Sequence, residues 1–450
     1  MKRALGLALA LMVATGSAAG QKSAKPAAAP GAIVLRGGRI LTVSHGVIEN
    51  GAVVMENGKI TAVGAAGSVA VPKGAQIVDV RGMTVYPGLI DSESRLGLTE
   101  ISAEQMTNDY IEPSDEIFPH LHVWEAFHAE SQLIPVTRVN GITNAIVAAG
   151  ETDTLPGQSS FIQLEGQSAK DMLLVRDIAL PLNFTGEQRR NDSWEKAKFP
   201  FTRMGVAAQL RQAFIDARDY QQKWADYEKK KAEPQKEEKN KDDKKDEKKG
   251  PPTPPKRDLK LEALVPYLDG KKPIVLAAEE PGDIETALEL AKEFNLRVIL
   301  NHVEHANKLL DMIAASKLPV IIGPIYARPK EGERYDSVYR MPAELQKRGV
   351  KLAFASYDAH QSRNLPYAAG YAVAFGLPYD EALKAITLNA AEIWGLGDQL
   401  GSLDVGKTAN VVVATGDPLD PKTDVKQVYI QGRAVSMETR QTRLRDQYMK

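Results

Sequence analysis

The stretch Val85-Tyr86-Pro87-Gly88-Leu89-Ile90-Asp91-Ser92-Glu93-Ser94-Arg95 constrains this chain more than any other. An apolar, β-prone run is broken by Pro-Gly, and its exit carries Asp91, Glu93 and Arg95 at alternate positions. On an extended strand alternate side chains share a face, so charged groups converge where this strand ends. The rest of the chain has to supply neighbours for that strand and partners for those charges.

With 450 residues, 43% of them hydrophobic, the chain has material for a large core, or for one large domain with a smaller companion. Its 57 basic and 58 acidic residues nearly cancel, so no global field favours nucleic acid or a membrane surface. Cysteine is absent, which excludes disulfides, thiolate metal sites and a cysteine nucleophile. Residues 1–20 read as an export signal: Lys2 and Arg3, the apolar run Ala4 to Val13, then the small residues Ser17-Ala18-Ala19-Gly20. That run is too short for a permanent bilayer anchor, so a periplasmic or secreted protein without stable membrane insertion is expected. Residues 21–31, rich in Ala, Lys and Pro, read as a flexible leader.

Residues 32–83 alternate short apolar runs with turns, and Asn57-Gly58 between two such runs is a strong hairpin signal. A matching β-rich piece occupies 400–436, followed by a tail, 437–450. Between them, over 84–399, strand-like and helix-like segments alternate, the pattern of a parallel barrel. A single helix is expected from Asp380 to Trp394. One insertion interrupts the order, at 228–257. Its first part is nearly all Lys, Glu and Asp and has no apolar face, and Gly250 to Pro255 cannot be helical. It reads as a disordered or fraying surface segment.

Four stretches carry a family resemblance: Pro87-Gly88-Leu89-Ile90-Asp91, Ala353-Phe354-Ala355-Ser356-Tyr357-Asp358-Ala359-His360, Ala385-Ile386-Thr387-Leu388-Asn389-Ala390-Ala391, and Gly401-Ser402-Leu403-Asp404-Val405-Gly406-Lys407-Thr408-Ala409-Asn410. Together they resemble the amidohydrolase superfamily, near its imidazolonepropionase-like branch. The resemblance implies a (β/α)8 TIM barrel with a small β-sandwich built from both terminal segments. It also implies a metal-activated water attacking a C–N bond at the C-terminal mouth of the barrel.

The family's two metal histidines on the first barrel strand are replaced here by Glu93 and Arg95, and on the fifth strand Ala277 and Glu279 stand at histidine positions. His302 ends the sixth strand, and Asp358 matches the catalytic aspartate of the eighth. The surviving set is Glu93, Glu279, His302 and Asp358, a remodelled site for one divalent metal, zinc or manganese, or for none. Asp358 is the expected proton acceptor, with an N-cap or loop role as the alternative. Arg95, His360 and Arg363 are the expected substrate-binding residues, although Arg95 beside Glu93 repels a cation and can form an ion pair instead. His120 and His122 have metal-like spacing without a strand to aim them, His45 belongs to the β-rich end, and His305 suits a supporting role. No Gly-x-Ser-x-Gly elbow occurs. Two functions follow: an exported hydrolase of an amide or cyclic amide, or an inactive relative that binds a small molecule or a partner subunit, with a homo-oligomer or a paralogous subunit as the expected assembly.

Overall fold

A computed structural model describes residues 31–184, 199–232 and 252–449. The expected export signal, the leader up to residue 30 and residues 233–251 of the charged insertion lie outside the described residues.

The chain begins with β1 (Ile33–Leu41), β2 (Val47–Glu56) and β3 (Lys59–Ala65), an antiparallel meander. Glu56 pairs with Lys59 across Asn57-Gly58, whose φ angles of 52° and 77° are those a type I′ turn demands. Next, β4 (Gln76–Asp79) and β5 (Thr84–Pro87) both run parallel to β1.

Eight strands then pair in chain order: β6 (Leu89–Ser94), β7 (Ile142–Val147), β8 (Ser159–Gln163), β9 (Leu173–Asn183), β10 (Ile274–Ala277), β11 (Val298–Asn301), β12 (Val320–Ile322) and β13 (Leu352–Phe354). The last closes on the first, where Glu93 O accepts from Ser356 N at 3.2 Å and Tyr357 N at 2.9 Å. Every strand contributes to an inner layer, which includes Ile90, Ile146, Phe161, Ala179, Val275, Ile299, Ile321 and Ala353. Their neighbours Leu89, Ile162, Leu180, Leu276, Leu300 and Phe354 pack outward against the helices. This is a filled TIM-type barrel.

Two features differ from the sequence pattern. β8 runs antiparallel to both β7 and β9. A parallel return needs a crossover of a dozen or more residues, usually a helix. The links 148–158 and 164–172 are too short for that, so the chain turns back as a meander. The expected helix at 380–394 is two, Tyr379–Ala385 and Leu388–Ile393. Between them the Ile386 carbonyl accepts from Ile90 N at 2.9 Å, and the Thr387 hydroxyl donates to Leu383 O at 2.5 Å. A carbonyl given to β6 is lost to the helix ladder, which breaks there. The same region explains Gly88: a Cβ there would sit 2.1 Å from Thr143 Oγ1.

The chain ends in β14 (Val411–Ala414), β15 (Val425–Ile430) and β16 (Arg433–Ala434), with β14 antiparallel to β5. Both termini therefore build one β-rich unit, whose strands run in the order β16-β15-β14-β5-β1-β2-β3. Its two faces follow the two-residue period of a strand. Val85, Val411, Val413 and Tyr429 join Leu35, Val53 and Ile60 in a core of their own, whereas Tyr86, Val412, Ala414 and Val428 pack into the barrel core. The helix Arg203–Ala232 buries Val206, Leu210, Phe214 and Ala217, a stripe at helical spacing, and its last turn takes in the start of the charged insertion. Among the described residues no helix is long and apolar enough to cross a membrane.

Candidate active site at the barrel mouth

At the C-terminal ends of β6, β7 and β11 a chain of charged side chains alternates in sign. Glu93, on β6, receives the Arg95 guanidinium through Nη1 at 2.9 Å. Arg95 also donates through Nη1 to Ala148 O at 3.2 Å and through Nη2 to Glu151 at 2.9 Å. Glu151 Oε1 lies 3.2 Å from His302 Nε2, and His302 Nδ1 lies 3.7 Å from Glu304. Glu304 in turn accepts from Gly323 N at 3.1 Å. The other Glu93 oxygen accepts from Asn301 Nδ2 at 2.8 Å, while Tyr357 donates its hydroxyl to Asn301 Oδ1.

Backbone geometry holds two of these groups in unusual positions. His302 and Tyr357 have φ of 56° and 54°, a left-handed conformation that bulky residues rarely adopt. Each follows a barrel strand, and their rings stack with centroids 3.9 Å apart. The strain is offset by the hydrogen bonds that fix Tyr357: its own N–H to Glu93 O, and its hydroxyl to Asn301.

Burial and charge set the protonation states. Burial, the largest single influence, would lower the His302 pKa, but the carboxylates of Glu151, Glu304 and Glu93 together outweigh it and raise the imidazole to about 10. Burial likewise works against the Glu151 carboxylate, yet His302 and Arg95 hold it down at about 2. Glu304 is pushed up by burial against the pull of His302. Tyr357 is pushed well above the ordinary phenol value by burial and by the carboxylates around it, so it stays neutral.

Asp91 stands apart although it lies on the same strand. The β6–β7 ladder shifts register between Asp91 and Ser94, so strict alternation fails there. Asp91 accepts from Ser356 N at 3.0 Å, from Ser356 Oγ at 2.6 Å and from Ser362 Oγ at 2.6 Å. Burial lifts its pKa to about 7 against those hydrogen bonds. It fastens the β6–β13 seam.

The expected site residues are brought together only in part. Glu93, Arg95 and His302 converge. Glu279 pairs instead with Lys330 at 3.4 Å and is not in the group. Asp358 Oδ1 accepts from His360 N at 2.5 Å and Gln361 N at 2.7 Å, which makes it a turn cap, but the residue also lines the mouth. His360 Nδ1 lies 3.9 Å from Asp358 Oδ1, and the Arg363 carbonyl accepts from Asn140. Neither His360 nor Arg363 lines the mouth cavity. His122 pairs with Asp177 at 2.8 Å, His305 with Glu333 at 2.9 Å and exposed His45 with Asp404 at 3.1 Å. Glu151 went unread in the sequence. Its signal is the one that drew attention to Glu93, a carboxylate just past the exit of an apolar, β-branched run.

Ligand atoms of Glu93, Glu151 and His302 all lie within 4.8 Å of one another. One imidazole and two carboxylates are the right number and kind of donors for a catalytic divalent metal. As they stand they do not fit one. Arg95 holds an oxygen of each carboxylate at 2.9 Å, and a guanidinium keeps its charge at any pH a protein survives.

Beside this network lies a cavity of about 200 Å³, lined by Arg95, Thr99, Ser102, Tyr110, Glu151, Tyr357 and Asp358 among others. It offers a cation, two carboxylates and several hydroxyls to one small occupant.

Comparison with known proteins finds relatives of the sequence and of the fold. Residues 278–435 match the model of the Amidohydrolase family. The amidohydrolase tasK of Hapsidospora irregularis is 24% identical over 403 residues, 85% of this chain. An imidazolonepropionase of Acidiphilium cryptum (strain JF-5) is 29% identical over 127 residues, 27% of this chain. The matched regions span 40% and 30% of those two proteins. The crystal structure of an amidohydrolase from Thermotoga maritima MSB8 superposes with a TM-score of 0.79 at 27% identity, covering 90% of this chain and 99% of that one.

Proposed function

Since the chain belongs to the amidohydrolase superfamily, we propose that it hydrolyses a C–N bond, in an amide or cyclic amide of a small molecule, at the barrel mouth. Members of that family usually hold a divalent metal; in this reading the site is remodelled and its own side chains carry the charge. The observation behind the reading is that Arg95, Glu151, Tyr357 and Asp358 line one cavity at the C-terminal strand ends, the face where TIM-barrel enzymes do their chemistry.

Asp358 takes a proton from water as the hydroxide oxygen bonds to the carbonyl carbon. Arg95 supports the oxyanion that forms, or clamps a carboxylate of the substrate. The C–N bond then breaks, and the amine leaves with the proton held by Asp358. His360 and Arg363 would meet only a substrate that overfills the cavity. A second reading, an inactive relative that binds a small molecule or a partner subunit, draws support from Arg95, whose donors are engaged by Glu93, Glu151 and Ala148. The proposed location, periplasmic or secreted, rests on Lys2, Arg3 and the run Ala4 to Val13. N-terminal sequencing of the exported protein tests it, and an intact Met1 there would refute it.

The deciding experiment is product release from N-acyl amino acids, dipeptides and cyclic amides, for the wild type and Asp358→Asn. Turnover of one class, lowered by about a hundredfold or more in Asp358→Asn with an unchanged melting temperature, is the expected result. Undiminished turnover in the variant would remove Asp358 from the mechanism. A panel that is bound but never cleaved would establish the binding role.

A further inference from the structure

The barrel mouth contains a three-donor cluster and, between two of the donors, a cation that belongs to the chain. Arg95 is 5% exposed and sits two residues from Glu93 at the exit of β6, in contact with Glu93, Glu151 and Ala148 O. His302 is equally buried, and its Nε2 faces Glu151 Oε1 at 3.2 Å without the alignment of a hydrogen bond. Nε2 is pointed at an oxygen, Glu151 Oε1, that Arg95 Nη2 already holds at 2.9 Å.

We propose that Arg95 is the resident cation of the mouth: its guanidinium takes the place of a divalent metal between Glu93 and Glu151, and it keeps these two carboxylates from forming a metal site with His302. Three consequences follow from charge and geometry. The wild-type chain holds no stoichiometric metal at the mouth, because a second cation would lie within a few ångströms of a permanent positive charge in a water-poor site. Replacing Arg95 by a neutral side chain leaves the buried Glu93 and the half-buried Glu151 without the cation they share, and that deficit makes the cluster a cation site. Replacing it by histidine adds a fourth donor at the strand exit, two residues from Glu93, and completes a tetrahedral set.

Equilibrium dialysis of the full-length protein against zinc chloride, followed by elemental analysis, tests this. Four proteins are compared: the wild type, Arg95→Met, Arg95→His and the double variant Arg95→His/His302→Ala. The expected result is about one retained zinc in Arg95→His, a weaker but measurable amount in Arg95→Met, and only background in the wild type and the double variant. About one zinc in the wild type, lost in His302→Ala, would overturn the proposal. So would an Arg95→His protein that keeps its circular dichroism and melting transition yet retains no more zinc than the wild type. If neither Arg95 variant folds, the wild type with and without His302→Ala still decides the matter, because the proposal forbids zinc that depends on His302 in the unaltered chain. The readout is metal content, so it stands whether or not a hydrolysed substrate is found.

Discussion

The barrel mouth and the terminal sheet use the same strand geometry to opposite ends. In the sheet, alternation sends Val411 and Val413 to one core and Val412 and Ala414 to another, so both faces are apolar and water is simply excluded. At the mouth the strand exits carry Glu93, Arg95, Glu151, His302 and Glu304, and each charge survives burial only because its neighbour has the opposite sign. Damage to the sheet costs contact area. Damage to the mouth strands a charge. The difference teaches that the two regions should fail in distinguishable ways, by size, by pH and by additivity.

Glu93→Ala should give the largest effect, because it leaves the buried Arg95 guanidinium with one carboxylate in place of two. Breaking a buried pair from one side costs about 3–5 kcal/mol, read as a lower urea midpoint. A loss no greater than that of an exposed pair such as Arg39–Glu49 would mean the network is not holding charge in the interior. Leu35→Ala, in the sheet core, should cost about 2–5 kcal/mol by transfer and cavity alone, and should leave zinc retention and any turnover as they were.

The pH dependence separates the regions more finely. Glu151, ordinarily near 4.5, is held at about 2, so its contribution is present above pH 4.5 and is lost as pH falls toward 2. His302, ordinarily near 6.5, is raised to about 10, so its contribution is complete below pH 6.5 and is lost as pH rises through 10. Urea midpoints measured across pH should therefore fall on both sides of that window, and Glu151→Gln should flatten both limbs, since Glu151 is also what raises His302. Leu35→Ala should lower the whole curve without changing its shape. An unaltered pH profile in Glu151→Gln would contradict the assignment of these charges.

The same contrast explains what was readable in the sequence. The sheet was legible because its signals are local: Asn57-Gly58 demands its turn, and the valine runs fix their own faces. The barrel was legible at Pro87 to Asp91 and at Gly401 to Asn410, where motif and backbone requirement coincide, as the crowding at Gly88 shows. The reversed direction of β8 was hidden because it depends on link length, and the break at Thr387 because it depends on a hydrogen bond from Ile90 in another element. At the mouth, Glu93, Arg95 and His302 announced themselves at strand exits. Glu279 followed the same pattern and was drawn off by Lys330, while Glu151 was reached only when folding set the β7 loop beside β6. A sequence shows which residues can carry charge, but pairing is a property of the assembled barrel.

The central claim, that the mouth is neutralised by its own side chains, is tested most directly by a double-mutant cycle on Arg95→Met and Glu151→Gln, read by urea unfolding at neutral pH. The account predicts strong coupling: the double variant should be more stable than the two single losses would sum to, by about 1–3 kcal/mol, because removing both charges leaves neither stranded. Single losses that add to within about 0.5 kcal/mol would contradict it.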